Sequence, residues 1–169
     1  MILGSWSGMR KYLEQEMIAD SLKNRIRYDC TTYKGMDGWK VFEIYIDKRL
    51  FKRFSLETVN TYFIESGYKE NNEPFGKTEY WTDFWEILEK TPISERREYT
   101  DNEFCDALAE YRNQDIRKSV YSENPIVKMF AILDRRVGKR TLSNLKEQLE
   151  LQPKWLQDLF KLRLGAEYV

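Results

Sequence analysis

The chain has no histidine among its 169 residues. That absence excludes a His-based triad, an imidazole general base and the common His-containing zinc and non-haem iron sites. Cysteine occurs only at Cys30 and Cys105, far apart and in no CxxC pair, so neither a disulfide framework nor a cysteine zinc site is written here. Net charge is missing too. Lys plus Arg and Asp plus Glu stand at 28 each, so no global field draws the chain to nucleic acid or to an anionic membrane. The opening MILGSWSGMRKYLEQE turns polar after three apolar residues and reads as neither a signal peptide nor a membrane span. A reducing cytoplasm is the expected location, with no metal, no cofactor and no membrane partner.

What is present argues for a folded chain. It is 41% hydrophobic and 15% aromatic, too apolar for disorder despite 33% charged residues. The length fits one domain, 1–169, and a change of character near residues 69–78 also allows a division into 1–68, helix plus meander, and 79–169, helical. Apolar spacing predicts a first helix over Ser7–Lys23. Alternation then predicts strands in RIRYDCTTYK and WKVFEIYID, joined by a hairpin at GMDG, with LFKRF as a third strand. After these, Ser55 caps a helix to Glu65 with Gly67 beyond it, KENNEPFGK is a loop, and EYWTDFWEILEK is a helix that Pro92 ends. Thr100 and Glu103 stand at capping-box spacing before a helix expected to reach Tyr121. Asn124–Pro125 opens a helix expected to run to Val137, with Gly138 as a left-handed cap, and further helices open at Thr141 and at Gln152–Pro153. The fold class is α+β: an N-terminal helix, a three-stranded antiparallel meander, then a mostly helical C-terminal region.

Four cations surround one glycine in ILDRRVGKRTL, residues 132–142. At about 100° per residue, Met129, Phe130, Leu133 and Val137 form a core stripe, with Arg135 opposite it beside Lys128. A phosphate-binding loop is excluded, because Leu133 stands where that motif needs glycine and Arg140 where it needs Ser or Thr. The bland reading is a helix end whose cations complement the dipole. The sharper one is a local patch of Arg135, Lys139 and Arg140 touching a nucleic-acid backbone or an acidic protein.

Three other constellations stand out. Arg163 projects into the apolar arc of Leu156, Leu159 and Phe160, so it needs a carboxylate, with Asp134 and Asp115 as candidates for a structural ion pair. Glu16 and Asp20, i and i+4 on the first helix, are the weak candidates for catalysis, but no third group can be nominated. Tyr80, Trp81, Phe84, Trp85 and Leu88 form an aromatic arc. Core packing is its ordinary reading, and a protein-partner hot spot its functional one.

The stretches WSGMRKYLEQEMIADSLKNRIRYDCTTY, NPIVKMFAILDRRVGKRTL and QPKWLQDLFKLRLGAE resemble a family of small, uncharacterised bacterial proteins found among firmicutes and some enterobacteria. Together they cover about half the chain. The resemblance carries over no activity and no catalytic residue. The C-terminal stretch also resembles tails of small cytosolic proteins from toxin and immunity neighbourhoods, which implies a binding or immunity role ahead of an enzymatic one. The leading expectation is a non-enzymatic protein–protein interaction module contacting its partner through Tyr80, Trp81, Trp85 and the Arg135–Arg140 surface. The alternatives are a nucleic-acid-binding module using that basic turn, and an enzyme using the Glu16–Asp20 pair.

Overall fold

A computed structural model describes residues 4–33, 39–71 and 78–168, the side chains of 78–80 excepted. Helix α1 (Trp6–Lys11) starts on the Ser5 side chain and passes into a π-helical turn, Tyr12–Glu16. The first helix therefore does not reach Lys23. Met17 closes the wide turn by donating to the Tyr12 carbonyl (2.9 Å), after which Ile18 bridges to Asp134 and Ala19 donates to the Leu133 carbonyl (2.9 Å). Two consecutive buried residues, Ile18 and Ala19, suit an extended segment pressed between elements better than one face of a helix.

Strands β1 (Ile26–Tyr33), β2 (Trp39–Ile46) and β3 (Arg49–Phe54) form an antiparallel sheet in that order. The GMDG hairpin lies outside the described residues. The β2–β3 turn places Asp47 and Lys48 at φ 49° and 69°, the paired left-handed geometry whose twist suits adjoining strands. Tyr28, Phe42, Ile44 and Phe54 face the helices. A register shift at Ile44/Tyr45 lets Phe51 pack near Trp155 although its neighbour Lys52 is also buried.

Helix α2 (Leu56–Glu65) is capped by Ser55, and Gly67 follows it at φ 81°. Helix α3 (Thr78–Lys90) rests on a small separate cluster of Leu56, Val59, Tyr62, Phe63 and Phe84. The main core runs from Met9 to Phe160. At its centre Phe104 of α4 (Asp101–Asn113) stacks on Phe42 at 4.4 Å, and the Thr100–Glu103 capping box is formed as expected. That helix does not continue to Tyr121. Gln114 turns extended and Asp115 caps a separate α5 (Ile116–Val120).

Every residue of α6 (Pro125–Leu133) is buried, Lys128 included, because α4, α5 and α8 (Lys154–Glu167) all pack on it. Lys128 thus does not share a solvated face with Arg135. Helix α6 ends at Leu133, not Val137, since Asp134 turns to φ −77°, ψ 134° to meet Ile18. Gly138 is likewise no left-handed cap. At φ −92°, ψ 176° it is the N-cap of α7 (Lys139–Leu145), which begins two residues before Thr141.

An added Cβ at Gly138 meets nothing within 4 Å, and a serine there places an oxygen to accept from the first-turn N–H groups of α7. Gly138→Ser is expected to raise the thermal midpoint by roughly 1 °C, whereas a left-handed position would lose several degrees. A melting curve of the single variant decides between them.

Candidate functional site

The cationic stretch is held first by its backbone. Arg135 N–H donates to the Met17 carbonyl at 2.8 Å, so residues 133–135 are stitched to the amino-terminal segment. The Asp134 carboxylate, fully buried, accepts the Tyr111 hydroxyl, the Arg136 N–H (2.7 Å) and the Arg136 guanidinium (2.7 Å from Nη2). Burial, and then the Asp134 charge, push the Tyr111 phenol well above its usual range, while the same carboxylate holds the Arg136 guanidinium protonated. These bonds brace the turn from within.

Arg163 completes the brace but not through the expected partners. Its Nη1 donates to the carbonyls of Ile132 (2.7 Å) and Asp134 (3.0 Å), its Nη2 to that of Val137 (2.6 Å), and its Nε to Glu167 (2.9 Å). The carboxylates of Asp134 and Asp115 are not its ion partners. Asp134 is taken by Arg136, and Asp115 is exposed beside Arg117. A hydrogen bond from Ser21, and then Arg163, hold the Glu167 carboxyl below the usual carboxylate range.

The remaining candidates are dispersed. Arg135 and Arg140 are exposed, and Lys139 lies 5.0 Å from the centroid of the Tyr168 ring. Glu16 and Asp20 are both exposed and do not share a helical face, because the helix ends between them. Among the described residues no group of His, Cys, Asp and Glu is placed to hold a metal ion. On α3, Phe84 is buried, Trp81 meets Trp39 edge-on at 5.0 Å, and Trp85 is 45% exposed. The Tyr80 side chain lies outside the described residues. The arc is therefore part core and part surface.

A surface that motif reading missed lies on the outer face of the sheet. There Arg27 sits over the Tyr45 ring at 4.4 Å and also pairs with Asp29, while Arg53 pairs with Glu43 at 2.9 Å. Leu50, opposite Tyr45, is 47% exposed. Arg53 continues this face into a groove of about 420 Å³ along α2, lined by Glu57, Thr61, Tyr62, Glu65 and Arg97, the last at 4.8 Å from the Tyr62 ring. The signal was in the alternation itself. Arg27 and Asp29 mark the polar face of β1, but only the packing shows that α3 reaches this face at Trp39 and leaves Arg27 and Leu50 exposed.

None of the helices, among the described residues, is long and apolar enough to cross a membrane. No curated protein and no solved structure matches the chain. A family model, that of the SF0329 protein family, matches residues 5–164 and so runs through the middle that the end motifs left uncovered. With that match spanning the sheet, the aromatic helix and the braced turn together, the chain belongs to the SF0329 protein family.

Proposed function

We propose that this chain is a non-catalytic module that binds another protein through the outer sheet face and the adjoining α2 groove. The observation that carries the reading is the exposed end of that face, where Arg27, Leu50 and Arg53 stand exposed around a half-buried Tyr45. Arginine and aromatic side chains around an apolar centre are the groups that dominate protein interfaces. Acidic Asp29, Glu43 and Glu57 alternate with the arginines, so the complementary partner is a protein surface of alternating charge rather than a phosphate backbone. Trp85, one turn along α3 from the Trp81 that meets Trp39, adds an exposed ring to the surface of that helix. An immunity-type role, as implied by the sequence resemblance, is one form of such binding.

The basic turn supports a nucleic-acid reading less well. All four cations of that stretch are exposed, but Arg136 pairs with Asp134 and Lys139 lies over the Tyr168 ring, so only Arg135 and Arg140 have no such contact among the described residues. Purification from the native host tests the proposal. Wild type is expected to recover a stoichiometric protein whose affinity falls about tenfold or more with Leu50→Arg, at an unchanged melting temperature. A partner indifferent to both Leu50→Arg and Trp85→Ala, or recovery of nucleic acid alone, overturns it.

A further inference from the structure

We propose that two copies of this chain pair through the free edge of β1, antiparallel about a twofold axis at Thr31. The edge is identified by where the backbone points. Tyr28 N–H leaves the sheet to donate to Glu14 Oε2 at 3.1 Å, so alternation directs the main-chain groups of Cys30 and Thr32 away from β2 as well. Lys40, opposite Thr32, agrees with this phase, since its N–H bonds outside β1, to Asp101 Oδ2 at 3.2 Å. Beyond Tyr28 the N–H and C=O of Cys30 and Thr32 find no hydrogen-bond partner among the described residues.

Open edges invite pairing, and proteins usually guard them with charge, bulges or short length. Strand β3 is guarded in this way, by its register shift and by Arg49, Lys52 and Arg53. On β1, Glu14 guards only the first half. The second half, CTTY, has no charge, proline or glycine, and Thr31, Thr32 and Tyr33 are exposed.

One self-pairing uses every free group. With Cys30 opposite the partner's Thr32, and Thr32 opposite the partner's Cys30, the four N–H and four C=O groups close four hydrogen bonds. Centring on Cys30 instead would need Tyr28 N–H, which Glu14 already holds. In the Thr31-centred register Asp29 faces the partner's Tyr33, a carboxylate opposite a phenol that is 48% exposed in the single chain, and no like charges meet among the described residues. Both cysteine thiols are free, and they belong to the core side of the sheet, away from the axis. The contact is small, so the dimer is weak and concentration-dependent. It is independent of the outer-face reading, because edge and face are different surfaces.

Sedimentation velocity from micromolar to millimolar chain, with hydrogen exchange, tests the pairing. The expected results are a monomer–dimer equilibrium and slower exchange of the Cys30 and Thr32 amides as concentration rises. Thr32→Pro removes an outward N–H without touching the bonds to β2, so it should abolish the dimer at an unchanged melting temperature. Thr31→Cys places two sulfurs at a non-hydrogen-bonded pair about 4.5 Å apart at Cα, within disulfide reach. It should cross-link about ten times faster than Asp29→Cys. A chain that stays monomeric at millimolar concentration overturns the proposal. So does a dimer in which Thr31→Cys links no faster than Asp29→Cys, or an edge that takes a foreign peptide but not its own copy.

Discussion

Arg163→Met is expected to lower the thermal midpoint by roughly 10 °C or more, among the largest losses of any single substitution here. The arginine is 2% exposed, and its guanidinium reaches three main-chain carbonyls and one carboxylate. Methionine fills the volume but leaves the carbonyls of Ile132, Asp134 and Val137 without that donor. Breaking a buried charged network by removing one partner costs about 3–5 kcal/mol, and each kcal/mol is worth about 2–4 °C in a chain of this size. Arg163→Lys should recover little, because one ammonium cannot span the fan of acceptors that the planar guanidinium covers. Melting curves of the two variants check both statements, and a lysine variant with wild-type stability would show that charge alone is needed.

The second large effect is alkaline. Burial pushes the phenols of Tyr28, Tyr99 and Tyr111 well above their ordinary range, with the nearby Glu14 and Asp134 charges adding to the first and last. In the unfolded chain these groups ionise near pH 10. Their contribution is therefore complete below that pH and is lost as pH rises beyond it, where the unfolded state releases protons that the folded state keeps. Each tyrosine then removes about 1.4 kcal/mol per pH unit, roughly 4 for the three. The Cys105 thiol, pushed up to about 11 by burial, begins the same decline nearer pH 9.

Burial lowers Lys52, Lys69 and Lys128, which opposes the trend until the unfolded lysines titrate near pH 10.5. The steep fall is thus expected above pH 10.5. Urea titrations at half-unit steps, repeated on Tyr111→Phe, should show the slope reduced by about a third. An equal slope in that variant would mean that Tyr111 ionises as readily folded as unfolded.

The parts of the fold legible in the sequence are those whose cause is local. Strand alternation, the Ser55 cap, the Thr100–Glu103 box and Asn124–Pro125 each act within a few residues, and each stands where the spacing puts it. The misreadings fall where a distant segment overrules the local preference. The apolar spacing of Met9, Leu13 and Met17 says nothing of Asp134, which pulls Ile18 out of a helix. The same contact ends α6 four residues early and turns Gly138 from a terminator into a beginning. Arg163 was recognisable as an anomaly because its position conflicts with its charge. Its acceptors were not, because a carbonyl is carried by every residue and so leaves no mark in composition. The outer sheet face was half legible: alternation tells which residues are polar, not whether another element covers them.

The bridge between Ile18 and Asp134 joins opposite ends of the chain, and Arg163 secures it from further on still. During synthesis from the amino end, Met17–Ala19 leaves the ribosome roughly 7–30 s before the residue that fastens its acceptor turn, at the usual elongation rates. Through that interval the turn that receives Ile18 lacks the guanidinium that holds it. A nascent chain arrested before residue 163 should therefore be cleaved by protease within its first twenty residues, and the full-length chain should resist there.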